Sequence, residues 1–343
     1  MKTTRVAING FGRIGRAFFK IAKNRPEIEI VAINDLGNLE NLAYLLRYDT
    51  AYGRSNFEVV TKDGKLVVDG KEVLFLSERE PTQLPWGAMN IDIVLESTGI
   101  FTSYEKSKVH LAAGAKRVVV SAPIKDDPED AGVVGSTVLM GVNEEALKTC
   151  QISSNASCTT NAGSPVMQIL HEALGIEKAL LNTVHGYTAT QKIVDSPDQK
   201  DFRKGRAAAQ NIIPGTTGAA IATTKVIKDL EGKFDGIAMR VPIVVGSIAD
   251  ITFVSKRDTN AQEVNAILKK AAGEERWKKV FTVTEEPLVS SDIIGSPHAS
   301  IADLAFTRVV GGNLVKVVAW YDNEMGYTHS LVEHVIASGK HLE

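Results

Sequence analysis

Arg5-Val-Ala-Ile-Asn9 is an apolar, strand-like run that passes at once into Gly10-Phe-Gly12-Arg-Ile-Gly15, and Arg16 to Lys23 then reads as a helix packing Phe18, Phe19, Ile21 and Ala22. A second apolar run, Glu29-Ile-Val-Ala-Ile33, ends in Asn34-Asp35, which puts an acid 20 residues past the third glycine. G-x-G-x-x-G is informative only in such a setting, between a strand and a helix with a downstream acid. Each glycine has a physical reason to be there. Gly10 permits the tight turn, Gly12 lets the backbone approach a pyrophosphate, and Gly15 lets helix and strand pack closely. The helix N-terminus faces the anion. Asp35 is placed to accept hydrogen bonds from the adenosine ribose and to repel a 2′-phosphate, favouring NAD over NADP. The competing reading is a glycine turn that binds nothing.

The pattern continues outward. Asn90 to Leu95 is a buried-type strand closing in Glu96-Ser-Thr-Gly99, a helix is expected from about Tyr104 to Ala113, and Arg117-Val-Val-Val120 is a further strand ending in Ser121-Ala-Pro123. Ligands of an open parallel α/β sheet lie outside the carboxyl ends of its strands, so Thr98 and Ser121 are candidates to line a cofactor groove; each has helix capping as its alternative. Tyr52 to Leu76, with turn signals at Asp63-Gly64 and Asp69-Gly70, reads as small antiparallel strands inserted in the nucleotide domain.

Ser153-Ser-Asn-Ala-Ser-Cys158-Thr-Thr-Asn161 sits where a short strand, Gln151 to Ser153, meets a helical pattern at Val166, Ile169, Leu170 and Leu174. A thiol at a helix N-terminus is favoured as thiolate. Most free cysteines are small buried hydrophobes, and that alternative stands from this segment alone. Farther on, Leu180 to Val184 reads as a strand delivering His185, a base for the cysteine or an ordinary loop histidine. Asp195 to Thr217 has little periodicity and carries Arg203, Lys204 and Arg206. Strands are expected at 236–241, 247–255, 300–309 and 314–321, and helices at about 218–230, 261–272 and 325–338. The fold class expected is α/β: a doubly wound parallel sheet over residues 1–155, to which a C-terminal helix in 325–343 returns, followed by an α+β catalytic domain over 156–322 with a largely antiparallel or mixed sheet.

Composition narrows the field. The 343 residues are 44% hydrophobic and 23% charged with a formal charge of −2, which gives no basic patch for nucleic acid or a membrane surface. No apolar stretch is long enough to span a bilayer, and the first residues lack a signal-peptide pattern. Cys150 and Cys158 make neither a disulfide framework nor a metal spacing. A reducing, cytoplasmic setting without a metal is expected.

Six blocks taken together resemble the phosphorylating glyceraldehyde-3-phosphate dehydrogenase family nearly end to end: Ile8 to Arg16, Ser154 to Asn161, His185 with Thr188-Ala-Thr-Gln191, Asn211 to Pro214 with Thr217 to Ala220, Met239 to Pro242, and Trp320 to Glu324. The resemblance implies a glycolytic or gluconeogenic oxidoreductase of Rossmann type that converts D-glyceraldehyde 3-phosphate to 1,3-bisphosphoglycerate with NAD. In it Cys158 attacks the aldehyde to give a thiohemiacetal, His185 lowers the thiol pKa and takes the hydroxyl proton, and inorganic phosphate cuts the resulting thioester. The Cys158 backbone N–H and His185 are the implied oxyanion stabilisers.

By the same match Gly10, Gly12, Arg13, Ile14, Gly15, Asp35, Arg79, Thr98, Ser121 and Asn323 bind the cofactor, and Tyr327 packs on its ring. Thr188 and Arg240 hold the substrate phosphate, while Ser157, Thr159, Thr217 and Gly218 hold the attacking phosphate; arginine suits this because its fork meets phosphate bidentately. Pro197 matches NAD-using members. The chain departs from the family at Ala162, where many relatives have a second cysteine, at Lys204, where some have arginine, and at Met325, usually tryptophan. A homotetramer is implied, reached through the 195–217 loop. Alternatives are an erythrose-4-phosphate dehydrogenase, which would tend to lose the second anion site, and a catalytically silent NAD- or RNA-associated protein.

Overall fold

Strand, glycine turn and helix follow one another as the pattern at the N-terminus requires. In the computed structural model, which describes residues 3–342, strand β1 (Thr4–Asn9) leads through Gly10 to helix α1 (Arg13–Ala22), and the chain returns as β2 (Ile28–Asn34), parallel to β1. The turn needs Gly10: its φ is +94° and a Cβ there would stand 2.6 Å from the Thr98 nitrogen. Helix α2 (Leu39–Arg47), absent from the sequence reading, starts where the Asn38 side chain accepts from the Asn41 N–H.

The chain divides into two units, Met1–Ala156 with Leu331–Glu343, and Ser157–Ser330. The first is built on a nine-stranded sheet. After a two-residue hairpin of β3 (Tyr48–Asp49) and β4 (Gly53–Arg54), β5 (Val59–Lys62), β6 (Lys65–Val68) and β7 (Lys71–Leu76) form an antiparallel extension. Of these β7 also pairs in parallel with β2. Strands β8 (Ile93–Glu96), β9 (Arg117–Val120), β10 (Gly135–Thr137) and β11 (Ile152–Ser154) extend the other side, giving the order β10-β11-β9-β8-β1-β2-β7-β6-β5. Every pair from β10 to β7 is parallel. The chain leaves β1 toward β2 on one side and comes back as β8 on the other, so the strand order reverses between β1 and β8, the switch point where such sheets bind ligands. β8 and β9 are buried along their whole length, as strands covered on both faces are.

The second unit contains helix α5 (Cys158–Leu174) and a mixed eight-stranded sheet. Its strands are β12 (Ile176–Gly186), β13 (Ile213–Thr216), β14 (Phe234–Val241), β15 (Ser247–Ser255), β16 (Phe281–Thr284), β17 (Ser300–Asp303), β18 (Arg308–Val310) and β19 (Leu314–Tyr321). The main path runs β13-β14-β12-β15-β19-β17-β16. β12 is parallel to β14 and antiparallel to β15, so the sheet is α+β in character. Helix α7 (Ala261–Ala272) follows β15, and α8 (Met325–Gly339) follows β19 and passes from the second unit into the first between Ser330 and Leu331.

Several expected elements are shorter than their patterns. The helix foreseen at 104–113 is two pieces, α3 (Tyr104–Ser107) and α4 (Val109–Ala112), capped by Ser103 rather than Thr98. The helix foreseen at 218–230 is only α6 (Ala219–Thr224), followed by a separate 3-10 turn at Lys228–Leu230. Thr223 and Thr224 donate back to the Ala219 and Ile221 carbonyls, and β-branched Val226 and Ile227 follow, a combination that works against helix extension. The strand foreseen at 300–309 is broken at Leu304, where the Asp303 carboxylate accepts from the Ala305 N–H. The irregular 195–217 segment holds a 3-10 turn, Phe202–Gly205, and β13.

Candidate active site

Cys158 begins α5. Two residues earlier Ala156 has φ of +54°, a left-handed conformation that costs roughly 1–3 kcal/mol in a non-glycine residue and gathers at functional turns. Ser157 then caps the helix: its Oγ accepts from the Thr160 N–H at 3.1 Å and lies 2.8 Å from Thr160 Oγ1. The thiol is thus held half-buried at the N-terminus of a helix whose following residues, 159–167, are buried.

His185 reaches the same point from β12. Its Nε2 is 3.3 Å from Cys158 Sγ, although 27 residues separate the two in sequence. Parallel pairing of β12 with β14 places His185 opposite Arg240. Arg240 Nη1 lies 2.6 Å from His185 Nδ1 and donates to the Gly186 carbonyl at 3.2 Å, while Nδ1 is also 2.6 Å from that carbonyl. The two neighbours favour opposite tautomers. When Nδ1–H donates to Gly186, Nε2 is bare and faces the thiol; when Arg240 donates to Nδ1, Nε2 carries the proton.

Burial pushes the Cys158 thiol up, against the lowering effects of Arg240 and of Thr159. Burial and then Arg240 push His185 down to about 3, opposed by its bond to Gly186. Singly, then, each prefers to be neutral, which differs from the expectation of a thiolate set by the helix terminus alone: removal from water outweighs the dipole. As a pair they are less constrained. Passing the proton from Sγ to Nε2, 3.3 Å apart, leaves the net charge of the site unchanged. The thiolate it creates is met by Arg240 and the helix N-terminus, and the imidazolium by the Gly186 carbonyl.

In the first unit a cavity of about 260 Å³ opens beside the glycine turn, lined among others by Gly10, Gly12, Asp35, Arg79 and Thr98. Above Gly12, at the start of α1, a Cβ would meet nothing within 4 Å, so the backbone there is open to a ligand, whereas a Cβ on Gly15 would stand 2.2 Å from the Gly10 carbonyl oxygen. Asp35 grips the turn itself, Oδ2 accepting from the Phe11 N–H at 2.6 Å and Oδ1 from the Gly37 N–H at 2.7 Å. Open backbone at a helix N-terminus with an acid one strand away fits a dinucleotide.

The family model described as glyceraldehyde 3-phosphate dehydrogenase, NAD binding domain, matches residues 4–104, and that described as its C-terminal domain matches residues 157–323. The glyceraldehyde-3-phosphate dehydrogenase of Streptomyces coelicolor is 48% identical over 343 residues, covering 99% of this chain and 100% of that one. The chain belongs to the glyceraldehyde-3-phosphate dehydrogenase family. The enzyme of Geobacillus stearothermophilus is likewise 48% identical, over 96% of both chains, and glyceraldehyde-3-phosphate dehydrogenase 3 of Saccharomyces cerevisiae is 46% identical over 96% of this chain and 98% of its own. As a glyceraldehyde-3-phosphate dehydrogenase family member the chain is an NAD-dependent oxidoreductase, and its two units carry the family's two domains.

Within that family frame the other expected residues fall into place unevenly. Thr188, at the surface, donates its N–H to Gln191 Oε1 at 2.8 Å and has Thr190 Oγ1 at 3.0 Å. Thr217 accepts from the Ala219 N–H, next to Gly218 at the start of α6. Thr159 is 4% exposed, and its hydroxyl is 2.8 Å from the Tyr321 hydroxyl, itself 2.6 Å from Thr183 Oγ1. The Thr159 side chain and N–H also bond the Cys158 sulfur, so Thr159 ties the thiol to a buried hydroxyl relay. The Arg13 side chain turns to Asp49 at 2.9 Å, over the Tyr52 ring. Ile14 is half-buried in the first turn of α1, Arg79 is exposed, and Ser121 continues the β8–β9 ladder through its N–H to the Glu96 carbonyl. Asn323 Oδ1 accepts from the Gly246 N–H and the Ser247 hydroxyl, both at 3.1 Å, leaving Nδ2 as the group it can offer a ligand. Tyr327 is buried.

Sequence reading missed the Tyr321 relay, the Arg240 contact with His185, and a polar cluster around Glu96 and His110. No local pattern announces them; each depends on strands paired side by side or on a helix packed against them.

Proposed function

We propose that the protein oxidises D-glyceraldehyde 3-phosphate to 1,3-bisphosphoglycerate, through a thioester on Cys158. The observation that carries the reading is the Cys158 Sγ to His185 Nε2 distance of 3.3 Å, with Arg240 on the far side of the imidazole. His185 takes the thiol proton, and the thiolate attacks the aldehyde carbon to give a thiohemiacetal. The oxyanion that develops is met by the Cys158 backbone N–H and takes the proton back from His185, which leaves the thiohemiacetal hydroxyl and a neutral imidazole. His185 then accepts that hydroxyl proton as hydride leaves the carbon, and NAD, when bound, would supply the hydride acceptor. Inorganic phosphate attacks the thioester carbonyl, and the Cys158 thiolate leaves. Capturing the carbon covalently keeps the energy of oxidation in a thioester that water would otherwise discharge.

Arg240 has a natural occupation in this scheme. A substrate phosphate drawing its guanidinium off Nδ1 leaves the Nδ1–H bond to Gly186 as the stable arrangement, so that Nε2 is a base when substrate is bound. Thr188 assists Arg240 at the substrate phosphate, and Ser157, Thr159, Thr217 and Gly218 serve the attacking phosphate. Gly10, Gly12, Gly15, Asp35, Arg79, Thr98, Ser121 and Asn323, with the backbones of Arg13 and Ile14, hold NAD. The protein works in the cytoplasm as a homotetramer. Phe202 and Ile212 in the 195–217 loop, with Ile193 and Val194 just before it, are all at least two-thirds exposed and supply apolar surface for a neighbouring copy.

The test is NADH formation with glyceraldehyde 3-phosphate and with erythrose 4-phosphate, each with and without inorganic phosphate. Fast turnover with the first aldehyde that depends on phosphate is expected; phosphate-independent turnover favouring the second would overturn the assignment.

A further inference from the structure

Beneath the dinucleotide cavity lies a buried polar cluster that none of the roles above employs. Glu96, the last residue of β8, is 1% exposed. Its Oε1 accepts from the Thr98 N–H at 2.8 Å and the Thr98 hydroxyl at 2.5 Å, and its Oε2 accepts from Asn9 Nδ2 at 2.6 Å and from His110 Nε2 at 3.1 Å. The His110 tautomer is fixed from behind: Trp86 Nε1 donates to Nδ1 at 3.3 Å, so the ring proton is on Nε2 and points at Glu96. Asn9 Oδ1 in turn accepts from Asn34 Nδ2 at 2.8 Å, and Asn34 is tied to the Glu78 backbone through both ends of its amide.

The cluster joins the last residues of three adjacent parallel strands, β2, β1 and β8. Asn9 and Asn34 line the cavity themselves, beside Gly10 and Asp35, and Glu96 fixes the Thr98 backbone against which Gly10 packs so closely that a Cβ would not fit. The His110 ring also makes an edge contact, 5.8 Å between centroids, with Phe101, which lines the cavity. Glu96 and His110 themselves are not among its lining residues. Burying a carboxylate is costly unless every lone pair is used, and packing alone does not require one here. What a carboxylate does that an amide cannot is accept four donors from three directions at once.

We propose that Glu96, held by His110, is the positioning residue of the cofactor site: it sets the spacing of the glycine turn, Asp35 and the Thr98 loop, and acts on the dinucleotide only through them. The proposal rests on the NAD reading of that cavity. Glu96→Gln in the full chain keeps the shape of the side chain but turns an NH₂ group toward two of the four donors. The expected result is an NAD Kd, measured by isothermal titration calorimetry, raised roughly 10- to 100-fold, the change that one or two hydrogen bonds to a charged group represent. The rate of Cys158 alkylation by iodoacetamide without NAD should stay at the wild-type value. A Glu96→Gln protein that melts lower yet binds NAD within about twofold of wild type would make the cluster purely structural and overturn the proposal. Should that variant not fold, His110→Phe keeps the ring against Phe101 and removes the donor, while His110→Gln restores one. Weakened NAD binding by the first and recovery by the second is expected; equal binding by both would overturn the proposal. Wild-type protein that binds no NAD at all would instead sink the cofactor reading on which the proposal stands.

Discussion

Replacing Gly12 and Gly15 by alanine, one at a time, should separate ligand binding from folding. At Gly12 the added methyl meets nothing within 4 Å, and the backbone angles, φ −70° and ψ −159°, suit any residue. Gly12→Ala should therefore leave the free protein as stable as before, or more stable by up to about 1 kcal/mol through reduced freedom of the unfolded chain. The same methyl occupies the space through which a pyrophosphate must reach the first N–H groups of α1. Losing one charge-assisted hydrogen bond there, about 1.5–3 kcal/mol, raises the NAD Kd roughly 10- to 100-fold. Gly15→Ala acts the other way. Its Cβ would lie 2.2 Å from the Gly10 carbonyl oxygen, so turn and helix must part by roughly 1 Å to reach normal contact. Overpacking of that kind costs about 1–3 kcal/mol, a fall of roughly 2–10 °C in thermal midpoint. Thermal denaturation without NAD and calorimetric titration with NAD read the two effects separately. The reasoning is refuted if Gly12→Ala melts as low as Gly15→Ala, or binds NAD as wild type does.

Three further outcomes follow from the site. In His185→Asn the thiol loses its proton acceptor and keeps the upward push of burial, so iodoacetamide alkylation of Cys158 should move to higher pH and slow at least about tenfold at pH 7, with kcat down roughly 10²- to 10⁴-fold; an unchanged alkylation profile would remove His185 from the mechanism. Arg240→Leu should raise KM for glyceraldehyde 3-phosphate about 10- to 100-fold while changing the slow rate with unphosphorylated glyceraldehyde by only a few-fold, and equal losses on both aldehydes would contradict its assignment to the substrate phosphate. Asp35→Asn removes the charge facing the ribose and should lower the preference for NAD over NADP by about tenfold in kcat/KM; a ratio that does not move would mean that Asp35 serves only the turn it bonds.

How much of this was legible in the sequence depended on how far apart the interacting residues lie along the chain. Gly10, Gly12, Gly15 and Asp35 announce themselves because turn, helix start and next strand are consecutive, and local chemistry dictates all three. Cys158 at the head of α5 was readable for the same reason, since Ser157 and Thr160 make the cap within four residues. The sequence offered His185 as a base for Cys158 with an ordinary loop histidine as the alternative, and only family resemblance chose between them, because the placement of β12 beside α5 is what brings the two together. The contact of Arg240 with His185 depends on the parallel register of β12 and β14, and that of Thr159 with Tyr321, 162 residues on, depends on α5 packing against β19. Glu96 was seen only as the end of a strand. Two of its four bonds come from nearby Thr98, but those from Asn9 and His110 required β1 beside β8 and α4 packed against them, which hydrophobic patterning does not encode. The overlong helix at 218–230 failed for a local reason, the competition of threonine hydroxyls for helix carbonyls.

The most direct test of the central claim, that oxidation proceeds through a thioester on Cys158, is mass spectrometry of the protein mixed with NAD and glyceraldehyde 3-phosphate in the absence of inorganic phosphate. An acyl adduct should appear on the peptide carrying Cys158, disappear when phosphate is added as 1,3-bisphosphoglycerate is released, and be absent from Cys158→Ser. NADH formation at the normal rate with no adduct on that peptide, or with Cys158→Ser fully active, would contradict the account.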